Sequence, residues 1–230
     1  MEKKLKSWQG WLLFGGTMVV VFVLGMIAAS VNERHAEVTS VMNNKKTEIT
    51  GIEARNDKFE SNYPREYQTW EATADTSFKS LYNGNQAVDV LEARPEMVIL
   101  WAGYAFSKDY STPRGHMHAI EDMRNTLRVG APMTENEGPQ PATCWTCKSP
   151  DVPRMMQAMG VDNFYKGKWA SLGKEIVNPI GCADCHEPEN MNLHISRPAL
   201  IEAFQRQGKD ITKATQQEMR SLVCAQCHVE

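Results

Sequence analysis

Cys144-Trp145-Thr146-Cys147-Lys148, Cys182-Ala183-Asp184-Cys185-His186 and Cys224-Ala225-Gln226-Cys227-His228 decide how this 230-residue chain is read. Together they hold all six of its cysteines, each in a C-x-x-C pair, so no thiol is left as a scattered structural residue. C-x-x-C followed by histidine is the attachment signature of c-type haem, in which two thioethers fix the porphyrin and the next imidazole reaches its iron. With six histidines in the chain, one would follow a given pair by chance about 3% of the time, so two such coincidences argue against chance. A four-thiolate zinc site from Cys144, Cys147, Cys182 and Cys185 would strand the third pair and ignore both histidines. No βαβ pattern surrounds a pair as a thioredoxin-like site needs, and disulfides closing such short loops would stabilise little. Haem attachment accounts for all three motifs.

The first motif differs at its last position, where Lys148 stands in the histidine slot. From the residues alone this is either a decayed site, a haem whose ligand comes from elsewhere, or a lysine-ligated haem. An amine must be neutral to donate to iron, so the last reading requires a site that depresses its pKa. Electron-carrying haems have both axial positions filled by side chains, whereas an unusual proximal ligand with an open opposite face marks an iron that binds substrate. On the lysine-ligated reading, Lys148 divides the motifs by role, one for chemistry and two for electron relay.

Outward from the motifs, the amino terminus sets the compartment. Lys3, Lys4 and Lys6 precede an uncharged apolar run from Trp11 to Val31, with Trp8 and Trp11 where an interfacial belt would lie. Twenty-one helical residues span ~30 Å, enough to cross a bilayer. Ala28-Ala29-Ser30 also makes a passable cleavage site, so anchor and cleaved signal both stand, and both place the rest outside the inner membrane. The expected divisions are a basic cytoplasmic segment (1–10), the transmembrane anchor or signal (11–31), a linker or solvated stalk helix (32–60, including a solvated His35), and a multihaem domain (61–230). The composition, 42% hydrophobic and 23% charged with net charge −3, excludes disorder and a polytopic membrane protein. It carries no basic footprint for nucleic acid.

Within the domain, aromatic residues interleave with turn formers from Asn62 (Tyr63-Pro64, Tyr67, Trp70, Phe78, Tyr82), which suggests an irregular surface-covering segment. The run Pro95 to Phe106 reads as a buried element. Thr112-Pro113 predicts a helix start, running through His116 to Arg128, with Arg124 and Arg128 on one face, and stopping at Gly130. Further helices are predicted over Ser196–Gly208 and Thr212–Val223, the last running into the third motif. No strand-like alternation is present. The fold class is therefore mainly α: an irregular multihaem cytochrome with helices and long loops packed around covalently attached haems, preceded by one apolar helix. The haem rings supply apolar surface that a chain of modest apolar content needs for a core.

The order and spacing of C-W-T-C-K, C-A-D-C-H and C-A-Q-C-H-V-E, with the stretch from Arg114 to Pro132, resemble cytochrome c nitrite reductase, the ammonia-forming pentahaem family. The likeness runs from near Asn56 to Glu230. It implies that Lys148 is the proximal ligand of a catalytic haem on Cys144 and Cys147, and that His186 and His228 are proximal ligands of two relay haems. It implies that His116 is the distal ligand of the third haem, which the residues alone could not choose over His118. Arg128 corresponds to the arginine that contacts nitrite, and Glu230 to a calcium ligand; His194 is left as a surface or capping histidine. The family also implies a homodimer, and a membrane-bound quinol-oxidising cytochrome as electron donor. Its active-site tyrosine, pocket histidine and last two haem motifs would fall beyond Glu230, so the chain is expected to be a partial sequence with three of five haem motifs. The rival expectations are a non-catalytic membrane-tethered electron carrier, and reduction of hydroxylamine or sulfite at the same iron.

Overall fold

The computed structural model describes residues 7–43, 46–78, 86–127 and 140–228. The chain divides into two compact units, residues 1–46 and 47–230. The first is one helix, α1 (Ser7–Asn43), apolar around its whole circumference from Trp11 to Val31. Large side chains such as Trp11 and Phe22 stand exposed along it, a surface unfavourable in water and suited to lipid. Among the described residues it is the one helix long and apolar enough to cross a membrane, a property that anchors and signal sequences share. It continues through the charged residues after Val31, including an exposed His35, so the stalk-helix reading describes 32–43.

The second unit begins ahead of the linker boundary expected at residue 60. Asn62 exchanges bonds with the Thr47 backbone, accepting from its N–H (3.0 Å) and donating to its carbonyl (2.7 Å). Phe59, on the short helix α2 (Asp57–Glu60), has no exposed surface. Burial of that ring ties 47–60 to the domain. Helix α3 (Pro64–Glu71) opens with proline at its first position, and its Trp70 Nε1–H donates to the carbonyl of Ile180 (2.9 Å).

Short helices α4 (Val90–Ala93) and α5 (Glu96–Leu100) follow on an excursion whose ends meet at a bridge between Asp89 and Ser111. Here the expected burial of Pro95–Phe106 is corrected. Ile99 is 80% exposed and Leu100 and Tyr104 69%, because the excursion packs on itself through Trp101, Phe106 and Tyr110. The helix expected from Thr112 is also corrected. Thr112 is engaged with Val88 and Gln86, and Gly115 adopts φ 91°, a left-handed conformation that breaks a helix. A 3-10 turn at His116–His118 leads into α6 (Ala119–Asn125), which ends before Arg128.

The core lies between the first and second motifs. Helices α7 (Asp151–Met159), α8 (Val161–Lys166) and α9 (Trp169–Leu172) enclose Val152, Met155, Phe164 and Ile176. Trp145 and Trp169 stack there at 5.5 Å and 3°, both without exposed surface, and Trp145 Nε1–H donates to the Trp169 carbonyl. Then come α10 (Cys182–Cys185), α11 (Pro198–Arg206) and α12 (Gln216–Ala225). The last starts four residues later than expected because Thr215 and Glu218 form a capping box. Among the described residues strand pairing is limited to isolated bridges, and the architecture is mostly helical with an N-terminal apolar helix.

Trp169→Ala is expected to destabilise the domain by about 3–5 kcal/mol, since it deletes one of two stacked, fully buried indoles. Denaturant unfolding of the haem-loaded protein checks it.

Candidate haem sites

Each attachment motif is a tight turn held by different means. The first follows a 3-10 turn at Ala142–Trp145, fixed where Ala142 N–H donates to Gly167 and Trp169 N–H to Gln140. Because Trp145 is buried in the core, its neighbours Cys144 and Cys147 are carried at the core's edge, half-buried. Lys148 follows with its N–H on the Trp145 carbonyl (2.9 Å) and its side chain half-buried.

The second motif forms α10. The Asp184 carboxylate accepts from Gly181 N–H (2.8 Å), while Asn56 accepts from Cys182 N–H (3.0 Å) and donates to Pro179 (2.9 Å). A Cβ at Gly181 would collide with the Asn56 amide, so only glycine allows this approach. His186 ring Nδ1 lies 2.8 Å from the Met191 carbonyl. Donation through Nδ1–H sets the tautomer and leaves Nε2 for a metal. Met191 has φ 59°, the single positive value among described non-glycine residues, within a loop closed by the His186–Leu193 bridge. His194 is half-buried, its backbone N–H donates to the Cys185 carbonyl (2.9 Å), and its ring Nε2 lies 3.4 Å from the Ala183 carbonyl.

The third motif begins inside α12, and His228 N–H returns to Cys224 (2.9 Å). The two candidate histidines have different neighbours. The His116 and His228 rings lie with centroids 6.3 Å apart and planes tilted by 35°. Two imidazoles across one iron, each bonded at about 2 Å through nitrogen with about 1.2 Å more to the ring centre, would stand about 6 Å apart. His118 is engaged elsewhere, with Nε2 3.1 Å from the Ala74 carbonyl and Nδ1 3.5 Å from Glu121. His116 is exposed, and its pKa is lowered by partial desolvation and then by the nearby His228.

The six cysteines are free thiols in this structure. Burial pushes Cys182 and Cys185 up to about 11, while a hydrogen bond between Cys147 and Cys227 holds Cys147 down and Cys227 up. Among the described residues no three His, Cys, Asp or Glu side chains converge as a metal cluster, so the four-thiolate zinc arrangement is not assembled. The available thiol pairs, the oriented His186 and the spacing of His116 and His228 fit covalently held haem. Arg128 and Glu230 lie outside the described residues.

Sequence reasoning missed Arg197. It has no exposed surface, and its guanidinium binds Asp184 Oδ1 (2.6 Å) and the carbonyls of Thr146 (2.7 Å) and Ser149 (2.8 Å). A signal existed: arginine stands at the position just before the Pro198 helix start, where short polar caps are favoured. It also missed Asn56 and Met191, which act through local geometry.

The family model for cytochrome c552 matches residues 55–230. Cytochrome c-552 of Bacteroides fragilis is 76% identical over all 230 residues, which are 47% of its own length. That of Porphyromonas gingivalis is 72% identical over the whole chain, 46% of its length, and that of Aliarcobacter butzleri 48% over 95% of the chain, 42% of its length. The chain thus spans about half the length of the curated relatives it matches. A solved cytochrome c nitrite reductase from Desulfovibrio desulfuricans ATCC 27774, described for the two calcium sites of its catalytic subunit, superposes with a TM-score of 0.72. That match has 31% identity and covers 80% of this chain and 41% of that one.

Met191→Gly is expected to keep the visible spectrum and stability of the loaded protein, because glycine adopts the observed φ freely. Met191→Ile should cost about 1–2 kcal/mol, the penalty of a left-handed branched residue, and broaden the signal of the His186 haem in magnetic spectra.

Proposed function

The chain belongs to the cytochrome c552 family, and from that premise we propose that it carries the catalytic-haem motif and two relay motifs of an enzyme reducing nitrite to ammonium. The overall conversion takes nitrite, six electrons and eight protons to one ammonium and two waters. The observation that carries this reading is the contrast among the motifs. Two offer histidine, one of them with the His116 ring 6.3 Å from that of His228, while the remaining one offers Lys148. When bound, haem supplies the iron that takes nitrite and the electron store that reduces it.

The protein's own groups do the rest. Lys148 extends from a turn fixed on both sides: Trp145 buried before it, Ser149 held by Arg197 after it. Its amine would serve as the iron ligand of a haem held on Cys144 and Cys147, which would supply the site for substrate. Arg128 would donate forked hydrogen bonds to the nitrite oxygens, as a planar guanidinium does for such anions, and would offset negative charge as reduction proceeds. His186, oriented by the Met191 carbonyl, and the pair His116 and His228 would hold the relay sites six-coordinate. Glu230 would contribute to a calcium site. The apolar α1 would place the domain on the periplasmic side of the inner membrane, as anchor or signal. A membrane quinol-oxidising cytochrome would deliver the electrons, and a second copy would complete a homodimer.

Nitrite added to the reduced full-length protein is expected to change the spectrum of one haem. Lys148→His should retain three covalent haems on these motifs, alter the first haem's spectrum and reduce turnover by about tenfold or more. A protein six-coordinate throughout and blind to nitrite would instead be an electron carrier. Arg128→Ala should raise KM for nitrite and also lower kcat; unchanged kinetics would remove it from the pocket.

A further inference from the structure

Arg197 touches all three attachment motifs, and at the same place in each. Thr146, Asp184 and Gln226 are the third residues of their C-x-x-C sequences. Arg197 Nε–H donates to the Thr146 carbonyl (2.7 Å), and its Nη2 donates to Asp184 Oδ1 (2.6 Å) and to the Ser149 carbonyl (2.8 Å). Its Nη1 donates to Ser196 Oγ (2.6 Å), which in turn donates to the Asp184 carbonyl (2.7 Å). From the third motif, Gln226 Oε1 accepts the backbone N–H of both Ser196 (2.8 Å) and Arg197 (3.1 Å), while its Nε2 donates to Asp184 O (2.8 Å). The two carbonyls on the first motif, Thr146 and Ser149, straddle Cys147 and Lys148.

Four of the five guanidinium N–H groups are thus committed, in a site with no water-accessible surface. A buried cation stripped of water is tolerated only with its donors met, so a shift of one motif against another would leave a buried donor or carboxylate oxygen without a partner. The arrangement resists relative motion of the three motifs more strongly than apolar packing, which slides at lower cost. Three porphyrins bonded to these cysteines would inherit that fixed geometry.

We propose that Arg197 is a positioning residue for electron transfer: it locks the three haem-attachment turns at set separations and fixes Lys148 within them. This rests on the haem assignment above but not on nitrite as substrate. Electron transfer between redox centres falls off exponentially with their separation, so small displacements of the turns would show first in the internal transfer rate. The guanidinium also places a fixed positive charge beside the first motif, which favours the reduced state of a haem held there.

The test uses the full-length, haem-loaded protein and follows electron redistribution among its haems after flash photoreduction, without nitrite, together with a redox titration. Arg197→Gln, with covalent haem content verified by mass spectrometry, is expected to slow redistribution several-fold relative to the parent, because the loosened turns lengthen the separations between haems. It should also move the midpoint of the first haem to more negative values. Arg197→Lys should keep that midpoint near the parent value while still slowing transfer, because a point charge cannot span three motifs. Arg154→Gln, which breaks the bond to Asp151 on α7, is the control for general destabilisation and should leave both readouts at the parent values. Should Arg197→Gln fail to fold, Gln226→Leu, which frees the Ser196 and Arg197 backbone without stranding a charge, decides instead. Parent-like redistribution in either deciding variant overturns the proposal. A parent that redistributes electrons normally yet ignores nitrite would sink the nitrite reading and leave this one standing.

Discussion

A guanidinium without access to water must have its hydrogen-bond acceptors supplied by protein, and in this domain they come from segments far apart in sequence. Arg197 meets the Thr146 and Ser149 carbonyls about fifty residues before it and Asp184 on α10, while Gln226, just past the end of α12, grips its backbone. Burial pushes the Asp184 carboxyl up, and the adjacent Arg197 pulls it back toward the ionised form. Neither group would be tolerated there alone. This pair joins three motifs that the linear order keeps apart.

Around that centre the motifs are secured by different physics. The first depends on apolar burial, since Trp145 belongs to the same stack as Trp169 and its cysteines move only if the core moves. The second depends on polar contacts from the N-terminal part of the domain, where Asn56 and Trp70 hold residues 179–182. The third is carried at the end of a capped helix. A ring attached to each would therefore rest on a different kind of support.

Regular elements were readable wherever a local signal acts alone. Proline at the start and Gly208 at φ 75° after the end bound α11 close to its expected limits. Local signals misled where distant partners compete for the same atoms. Thr112 looked like a helix cap, yet its hydroxyl and backbone pair with residues 86–88. The apolar run at 97–106 looked like core, because hydrophobicity measures the tendency to bury and not the surface available to bury against. The Thr-x-x-Glu pattern at Thr215 and Glu218 is a local signal of the same kind and marks where α12 begins.

By itself the sequence determined the chemistry of attachment: three C-x-x-C pairs, histidine after two and lysine after one, behind an apolar helix long enough to span a bilayer. Those features are contiguous, and covalent spacing alone makes them meaningful. Tertiary structure decided which remote groups serve them. It brought the ring of His116, not His118, to 6.3 Å from His228, and sent Arg197 inward to three motifs. A choice between two histidines on one turn, or the burial of one arginine among many, depends on where the chain returns after a hundred residues, and no local pattern encodes that distance.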